Sequence, residues 1–371
     1  MSCKGKCSCR KPSKKRAIIT GITGQDGSHL AELLLYLNYE VVGVVRRSST
    51  DTTQRIKHLL GNKNLKLVEG DITDYSSIFN VLKENQDACE FYNLAAQSHV
   101  AASFKNPEAT WDATCKGCFN VLRAIVDLDL QNRIRFYQAS SSEMFGKSYD
   151  EDGYAKYQDE KTKFLPQSPY AIAKCAAHEA VRLYRDAYGL HASAGILFNH
   201  EGPRRGEQFV TRKITKWIGK FNKFLKRNNI LPKDITKSCL DKDCDMIFAS
   251  GIQESFPKLR LGNIDAYRDW GYAGDYVKAM WLMLQQNRGD DYVICTGESH
   301  SIREFLEEAF KCIEISDWYN YIIQDPQFYR PAEVDYLRGK NFKAGSKLKW
   351  KPETTFKQLV TMMVEHDIKN S

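Results

Sequence analysis

The chain has 371 residues, of which 42% are hydrophobic and 27% charged, with a net charge of +8. That length suits one large α/β unit or two interleaved lobes around a substantial core, and no run of about 18 apolar residues offers a membrane span. The positive charge is gathered partly in MSCKGKCSCRKPSKKR and partly in KWIGKFNKFLKRNN, with acids mixed through the rest, so anionic small molecules explain it as well as nucleic acid does.

Residues 1–15 are basic, lack an apolar stretch and read as a disordered tail rather than a secretory signal. Cys3, Cys7 and Cys9 have no Cys/His pair nearby to complete a metal site, and no metal is expected. Eleven cysteines without framework spacing predict free thiols in a reducing compartment, the cytoplasm. Ala17 to Thr20 is then a short β-branched run that ends at a glycine turn. Leu30 to Leu37 carries helical apolar spacing, and EVVGVV reads as a second buried strand.

The alternation continues through LKLVEGD, a helix from about Ser76, CEFYNLA, a helix through Leu122, IRFYQAS, a helix from Pro169 to Tyr188, and ASAGILF. Cys115 and Cys118 form a CxxC inside the helical pattern, where packing explains them better than redox chemistry. Near-continuous apolar strands alternating with helices predict an α/β fold, a doubly wound parallel Rossmann sheet over residues 16–200. Beyond residue 200 the pattern loosens. VTRKITKWIGKFNKFL is helical, whereas RNNILPKDITKSCLDKDCDMIFASGIQESFPK is polar and irregular. A last strand near DDYVICTG implies a return to the sheet around residues 266–297. The rest of 201–371 forms a smaller, interleaved C-terminal substrate-binding lobe over the carboxyl edge of the sheet, where such folds bind their ligands.

Gly21, Gly24 and Gly27 space a G-x-x-G-x-x-G between the first strand and the first helix, the context in which backbone N–H groups meet a pyrophosphate. The second strand ends in Arg46, Arg47, Ser48 and Ser49 rather than in an acid. Guanidinium groups beside hydroxyls suit a 2′-phosphate, which favours NADP over NAD. Tyr170 and Lys174, four apart after Pro169, share a helix face, and a lysine ammonium there is expected to lower the tyrosine pKa toward use as a base. With the hydroxyl run Ser140 to Ser142 upstream, these features resemble the extended short-chain dehydrogenase/reductase superfamily that modifies sugar nucleotides.

Glu143, just past a strand end in SSEMFG, sharpens the resemblance. A 4-epimerase needs only the tyrosine base and the cofactor. A dehydratase also needs a group to remove the proton on carbon 5 and assist loss of the hydroxyl on carbon 6, and a carboxylate suits that role. The stretches GITGQDGSHLAELLL, RRSS, NLAAQSHV, FYQASSSEMFG, SPYAIAK, ILFNHEGPRRGEQFVTRKI, RDWGYAGDYVKAMWLMLQ and YRPAEVD, in that order over nearly the whole chain, closely resemble the GDP-mannose 4,6-dehydratases. The resemblance implies a catalytic set of Ser141, Glu143, Tyr170 and Lys174, and GDP-mannose as substrate. It implies cofactor contacts from Gly21, Thr23, Gly24, Gln25, Asp26 and Gly27, from Arg46, Arg47, Ser48 and Ser49, and from Asp71 and Ile72. Leu94, Ala95, Ala96, Gln97, Ser98, Lys174, His200 and Arg205 complete the implied cofactor set. For the GDP moiety it implies Asn199, Val210, Lys213, Arg268, Arg330 and Glu333.

Family members are commonly dimers or tetramers, which implies a homodimer or homotetramer with the RRSS loop near a subunit contact, and neither nucleic acid nor membrane as partner. The chain departs from the family at Ala109 (usually a tyrosine at the cofactor), Tyr272 (usually histidine) and Gly202 (usually serine). The segment of about 221–257 is longer than in the family, either a tolerated surface insertion or one that alters a lid or subunit contacts. SYDEDGYAKYQDEKTKF is also long and is expected near the mouth of the site. Two readings stay open beside the dehydratase: another nucleotide-sugar dehydratase or 4-epimerase of the superfamily, and an NADP-binding protein without turnover. Further reduction of the keto product is also left open.

Overall fold

The structure, a computed structural model, describes residues 14–153, 155–232, 235, 245–248, 254–329 and 332–371. Seven strands form one sheet: β1 (Arg16–Thr20), β2 (Glu40–Val45), β3 (Leu65–Glu69), β4 (Glu90–Asn93), β5 (Arg135–Ser141), β6 (Ala192–Leu197) and β7 (Asp291–Ile294). Their order is β3-β2-β1-β4-β5-β6-β7 and every pair is parallel. The chain therefore reverses direction across the sheet between β1 and β4, which opens a crevice at their carboxyl ends.

Alternation along each strand builds two cores. Ile19, Tyr92 and Tyr137 face the layer of α1 (Gln25–Tyr36) and α8 (Ala273–Leu284). Their neighbours Ile18, Phe91 and Phe136 face α2 (Tyr75–Glu84), α5 (Gly117–Asp127) and α6 (Pro169–Tyr188). Neither set reaches water, as the unbroken apolar strands require. The segment before α5 is less regular than one long helix. It breaks into α3 (Val100–Lys105), α4 (Pro107–Trp111) and a π turn over Asp112–Lys116, because Pro107 cannot continue α3. Cys115 and Cys118 are buried free thiols there, both pushed up by burial, in keeping with packing.

The second lobe has its own core. α7 (Val210–Arg227), α9 (Ile302–Lys311) and α10 (Phe356–Lys369) pack Ile214, Trp217, Phe221, Phe305, Phe310 and Met363 together. At its centre Arg212 on α7 lies 2.5 Å from Asp367 on α10, and Thr215 donates to the same carboxylate at 2.7 Å. Short strands tie the lobe together: Asn199–Glu201 runs parallel to Trp270–Tyr272, and Leu259–Leu261 parallel to Ile322–Gln324.

Three expectations change. Residues 1–13 lie outside the described residues, but Lys15 belongs to the packed chain, its Nζ 3.1 Å from Gln285. The long segment of about 221–257 does not begin as a surface insertion, since Phe221, Phe224 and Leu225 of α7 are core residues. Within it Met246–Phe248 pairs antiparallel with Ser255–Pro257, and 233–234, 236–244 and 249–253 lie outside the described residues. Finally, SYDEDGYAKYQDEKTKF does not reach the crevice. Gln158, fully buried, exchanges hydrogen bonds with the backbone of Arg338 and Lys340, which docks the segment on residues 338–340.

Candidate active site

A cavity of about 1210 Å³ occupies the crevice and continues under the lobe. Its floor starts at the turn after β1. Gly21 has φ +71°, and a Cβ there would stand 2.9 Å from the Ala95 nitrogen. At Gly27 a Cβ would meet the Gly21 carbonyl oxygen at 2.3 Å, so only glycine lets α1 approach β1 this closely. Gly24 caps α1 without a side-chain acceptor, which leaves first-turn N–H groups turned to the cavity. Arg46 lines it at the end of β2, while Asp71 and Ile72 line it beyond β3. A glycine cradle, a helix N-terminus and a guanidinium fit a phosphorylated dinucleotide.

Asp26 and His200 join this turn to the lobe. His200 Nε2 lies 2.7 Å from Asp26 Oδ2, its Nδ1 is 2.8 Å from the Phe198 carbonyl, and its ring stacks on Tyr276 at 4.9 Å. Burial works against the charge on Asp26, yet His200 holds the carboxyl down at about 2. Burial likewise opposes the imidazolium, and Asp26 overrides it to raise the His200 pKa.

The chemistry-bearing cluster stands at the end of β5 and the start of α6. Ser168 Oγ accepts from Ala171 N at 3.1 Å and Pro169 is the first residue of α6, which places Tyr170 in its first turn. Ser141 caps the single turn Ser142–Met144, its Oγ accepting from Glu143 N at 3.3 Å, which holds Glu143 at the strand end against the cavity. Tyr170 and Lys174 are both buried and both line the cavity. Lys174 Nζ donates to the Ala139 carbonyl at 2.5 Å and lies 5.7 Å from the Tyr170 ring centre.

The expected lowering of the tyrosine pKa is not found in the protein alone. Burial pushes Tyr170 up to about 12, with a hydrogen bond to Ser141 opposing and the Glu143 charge adding to the rise. Lys174 is itself pushed down by burial to about 8. Its ammonium is turned to a carbonyl rather than to the phenol, which is why it fails to offset the desolvation of Tyr170.

A buried chain of polar side chains links the glycine turn to Lys174. Thr20 Oγ1 donates to Asn93 Oδ1 at 2.8 Å, and Asn93 Nδ2 donates to Gln138 Oε1 at 2.7 Å. Gln138 Nε2 donates to the Ala139 carbonyl at 3.1 Å, the acceptor of Lys174. Thr20 and Asn93 end β1 and β4, and Gln138 stands at the middle of β5. Each is a polar residue in an otherwise apolar strand, but only the sheet order makes them neighbours.

Under the lobe, Asn199, Val210, Lys213, Arg268 and Glu333 all line the cavity. Arg268 Nη2 donates to Glu333 at 3.1 Å, and Lys213 Nζ sits 3.7 Å over the Phe328 ring. Arg205 lies 3.6 Å over Phe209 and 3.1 Å from Glu201. Leu94, Ala95, Ala96, Gln97 and Ser98 form the wall after β4, and Thr23, Gln25 and Asp26 the floor. Arg47, Ser48 and Ser49 do not line the cavity, although like Arg46 they are exposed. Arg330 lies outside the described residues.

Residues that sequence reasoning passed over include His99, whose Nδ1 caps α3 by accepting from Ala102 N at 3.1 Å, and Phe328 and Tyr329 at the far end. Ala109 lines the cavity with a methyl group where a tyrosine was expected. The other two departures lie in contact: a Cβ on Gly202 would stand 3.2 Å from Tyr272 Cε2, tighter than ordinary van der Waals contact.

The family model described as GDP-mannose 4,6 dehydratase matches residues 18–232 and 242–363. The chain is 46% identical to GDP-mannose 4,6 dehydratase 1 of Arabidopsis thaliana over 366 residues, covering 96% of this chain and 90% of that protein. It is 43% identical to the GDP-mannose 4,6 dehydratase of Homo sapiens, covering 95% of this chain and 91% of that protein. Among solved structures, the UDP-glucose 4-epimerase of Thermotoga maritima superposes with a TM-score of 0.73 at 21% identity, covering 96% of this chain and 99% of that one. The dTDP-glucose 4,6-dehydratase of Bacillus anthracis gives 0.74 at 20% identity, covering 96% and 97%. At such identity these two structures speak for the fold.

Proposed function

The chain belongs to the GDP-mannose 4,6-dehydratase family, and from that premise we infer the part each side chain plays in converting GDP-mannose to GDP-4-keto-6-deoxymannose and water. The observation that carries the reading is the meeting of Ser141, Glu143, Tyr170 and Lys174 in one cavity with the glycine turn. A 4-epimerase needs no carboxylate at the strand end, and Glu143 supplies one.

NADP is the cofactor, supported by Arg46 in the cavity at the end of β2. When bound it would supply a hydride store for oxidation at carbon 4 of the sugar and reduction at carbon 6. The chain's residues handle the protons. Ser141 holds the oxygen on carbon 4 while Tyr170 accepts its proton. At a pKa of about 12 the buried phenol is a reluctant base, and Lys174, whose Nζ is within reach of Ala139 and the Tyr170 ring, is the cation able to favour the phenolate once it turns. The ketone at carbon 4 acidifies carbon 5. Glu143 removes that proton and delivers it to the departing hydroxyl on carbon 6, and as carbon 6 is reduced the proton held by Tyr170 returns to carbon 5, which restores both residues. Arg268 and Lys213 hold the pyrophosphate side of GDP, and Asn199, Val210 and Glu333 frame the rest.

Exposed apolar side chains on adjoining helices, Trp111 and Phe119 beside Ile172, Leu183 and Tyr188, support a homodimer or homotetramer. The free thiols Cys89, Cys115, Cys118, Cys175, Cys295 and Cys312 support a cytoplasmic setting. No helix among the described residues is long and apolar enough to cross a membrane. Mass analysis of the product tests the function: the enzyme with NADP and GDP-mannose should yield a sugar nucleotide lighter by one water, with no net reduction of the cofactor. GDP-glucose and UDP-glucose serve as controls, and equal turnover of either would move the substrate assignment.

A further inference from the structure

The face of α6 that carries Tyr170 and Lys174 continues at the same spacing to His178, buried beneath the sheet. Its Nδ1 lies 3.0 Å from Ser140 Oγ on β5, and its Nε2 lies 3.8 Å from Asp291 Oδ2 at the start of β7. Asp291 is held in turn by Arg185 of α6 at 2.5 Å, and Phe164 meets the imidazole edge-on at 5.3 Å. Serine, histidine and aspartate in a row have the composition of a nucleophilic triad. Ser140 is only 4% exposed and no part of it lines the cavity, so no substrate reaches the hydroxyl. The row needs another purpose.

Ser140 immediately precedes Ser141, the hydroxyl that meets Tyr170, and Ala139 before it accepts from Lys174. Three consecutive residues of β5 are thus engaged by three residues of α6 that stand one helical turn apart. A slip of α6 by one residue would translate it ~1.5 Å and rotate it ~100°, which would turn Tyr170 away from Ser141. Lys174 alone cannot prevent such a slip, because its flexible four-carbon stem can follow the Ala139 carbonyl. A short, planar imidazole bonded to Ser140 and facing Asp291 can.

We propose that His178 is a positioning residue for the dehydration: by engaging Ser140 and facing Asp291 it fixes the register of α6 on β5, and with it the approach of Tyr170 to Ser141. Nε2 faces the Asp291 carboxylate at 3.8 Å, too far for a hydrogen bond, so the short contact is the one between Nδ1 and the Ser140 hydroxyl. Burial favours the neutral ring, with Asp291 and Glu179 opposing and Arg185 and Arg182 adding to the effect. The proposal rests on the roles assigned above to Tyr170 and Ser141.

The test uses the full chain with NADP and GDP-mannose, comparing Ser140→Ala, His178→Ala and the double variant, with kcat expressed per folded site. A misplaced base costs rate rather than affinity. His178→Ala should lower kcat about tenfold to a hundredfold, the range expected when a supporting group is removed from a reacting one, with KM for GDP-mannose and the affinity for NADP unchanged. Ser140→Ala should lower kcat in the same way but less, and the double variant should match His178→Ala. Ser140→Ala removes a single buried oxygen and decides the matter where His178→Ala does not fold. Wild-type kcat in Ser140→Ala, whatever its melting temperature, overturns the proposal, as does a rise in KM that accounts for the whole loss. Tyr170→Phe separates the two levels of inference. Full turnover by that variant removes the assigned base itself and the proposal with it, whereas an inactive Tyr170→Phe beside a fully active Ser140→Ala overturns the proposal alone.

Discussion

The two ends of the cavity are held by different means. At the carboxyl edge of the sheet, Ser141, Glu143, Tyr170 and Lys174 are buried and fixed by strand register, a helix cap and the polar chain from Thr20 to Ala139. At the lobe end, Arg268 pairs with Glu333 and Lys213 sits over Phe328, side chain against side chain, with Phe328 and Tyr329 exposed. The first end is held in place except for the Lys174 ammonium, which has to turn toward Tyr170, so its residues act on the transition state with little rearrangement. The second must exchange contacts within the protein for contacts with a ligand, so its residues tune binding. The difference separates rate from affinity, and each variant below is a way to break or sharpen it.

Glu143→Gln should have the largest effect. It keeps the shape of the side chain but removes the base, so kcat for water loss should fall by about 10²–10⁴ while KM stays put. Rapid mixing with GDP-mannose should still reduce the bound cofactor, read by its near-ultraviolet absorbance. Normal dehydration by this variant would take Glu143 out of the reaction.

Asp367→Ala attacks the lobe without touching the sheet. It leaves Arg212 charged and buried without its partner, a loss of about 3–5 kcal/mol, visible as a lower midpoint in denaturant. Because α7 carries Val210 and Lys213, KM for GDP-mannose should rise in the same variant. An unchanged KM would mean that the lobe does not govern affinity.

Arg268→Ala should raise KM by ~10–100-fold with kcat nearly intact, as expected when a charge-assisted contact of about 1.5–3 kcal/mol is lost. A fall in kcat without a change in KM would reverse the contrast between the two ends. Arg46→Ala should weaken NADP about tenfold and leave NAD almost unaffected, again the size of one charged hydrogen bond, measured by titration of each cofactor. An unchanged preference for NADP would remove Arg46 from its recognition.

The smallest effect concerns Asp26 and His200, which join the two ends. The Asp26 pKa is depressed from 3.8 to about 2, so its stabilising contribution is present above its unfolded value and lost as pH falls toward 2. The His200 pKa is raised above 6.5, so its contribution is present below 6.5 and lost as pH rises through the raised value. The pair should therefore help most between about pH 4 and 6.5. Asp26→Asn should lower the melting temperature by roughly 2–4 °C in that window, the size expected for ~1 kcal/mol, and by less on either side. A constant difference across pH would remove the ion pair as the cause.

Much of the carboxyl edge was legible from residues alone. The glycines at 21 and 27 leave no room for a side chain where α1 crosses β1, and Tyr170 and Lys174 share a face by helical spacing. Other residues had meaning only through neighbours distant in sequence. Arg46 lines the cavity but Arg47, Ser48 and Ser49 do not, although all four are exposed after β2. The segment SYDEDGYAKYQDEKTKF, residues 148–164, looked close to the site in sequence, yet Gln158 binds it to Arg338 and Lys340 instead.

The sequence by itself determined the strand and helix alternation and the glycine turn, since each follows from local periodicity or a fixed short spacing, and its resemblance to the family pointed to Ser141, Glu143, Tyr170 and Lys174 as the reacting set. The tertiary structure alone decided that Thr20, Asn93 and Gln138 form one chain, that Gly202 and Tyr272 are in contact, and that His178 reaches Ser140 and faces Asp291. It also decided that burial raises Tyr170 rather than Lys174 lowering it. The physical reason is common to all four: hydrogen bonds, close contact and desolvation act over a few ångströms, and strand order and helix register bring those groups within that range.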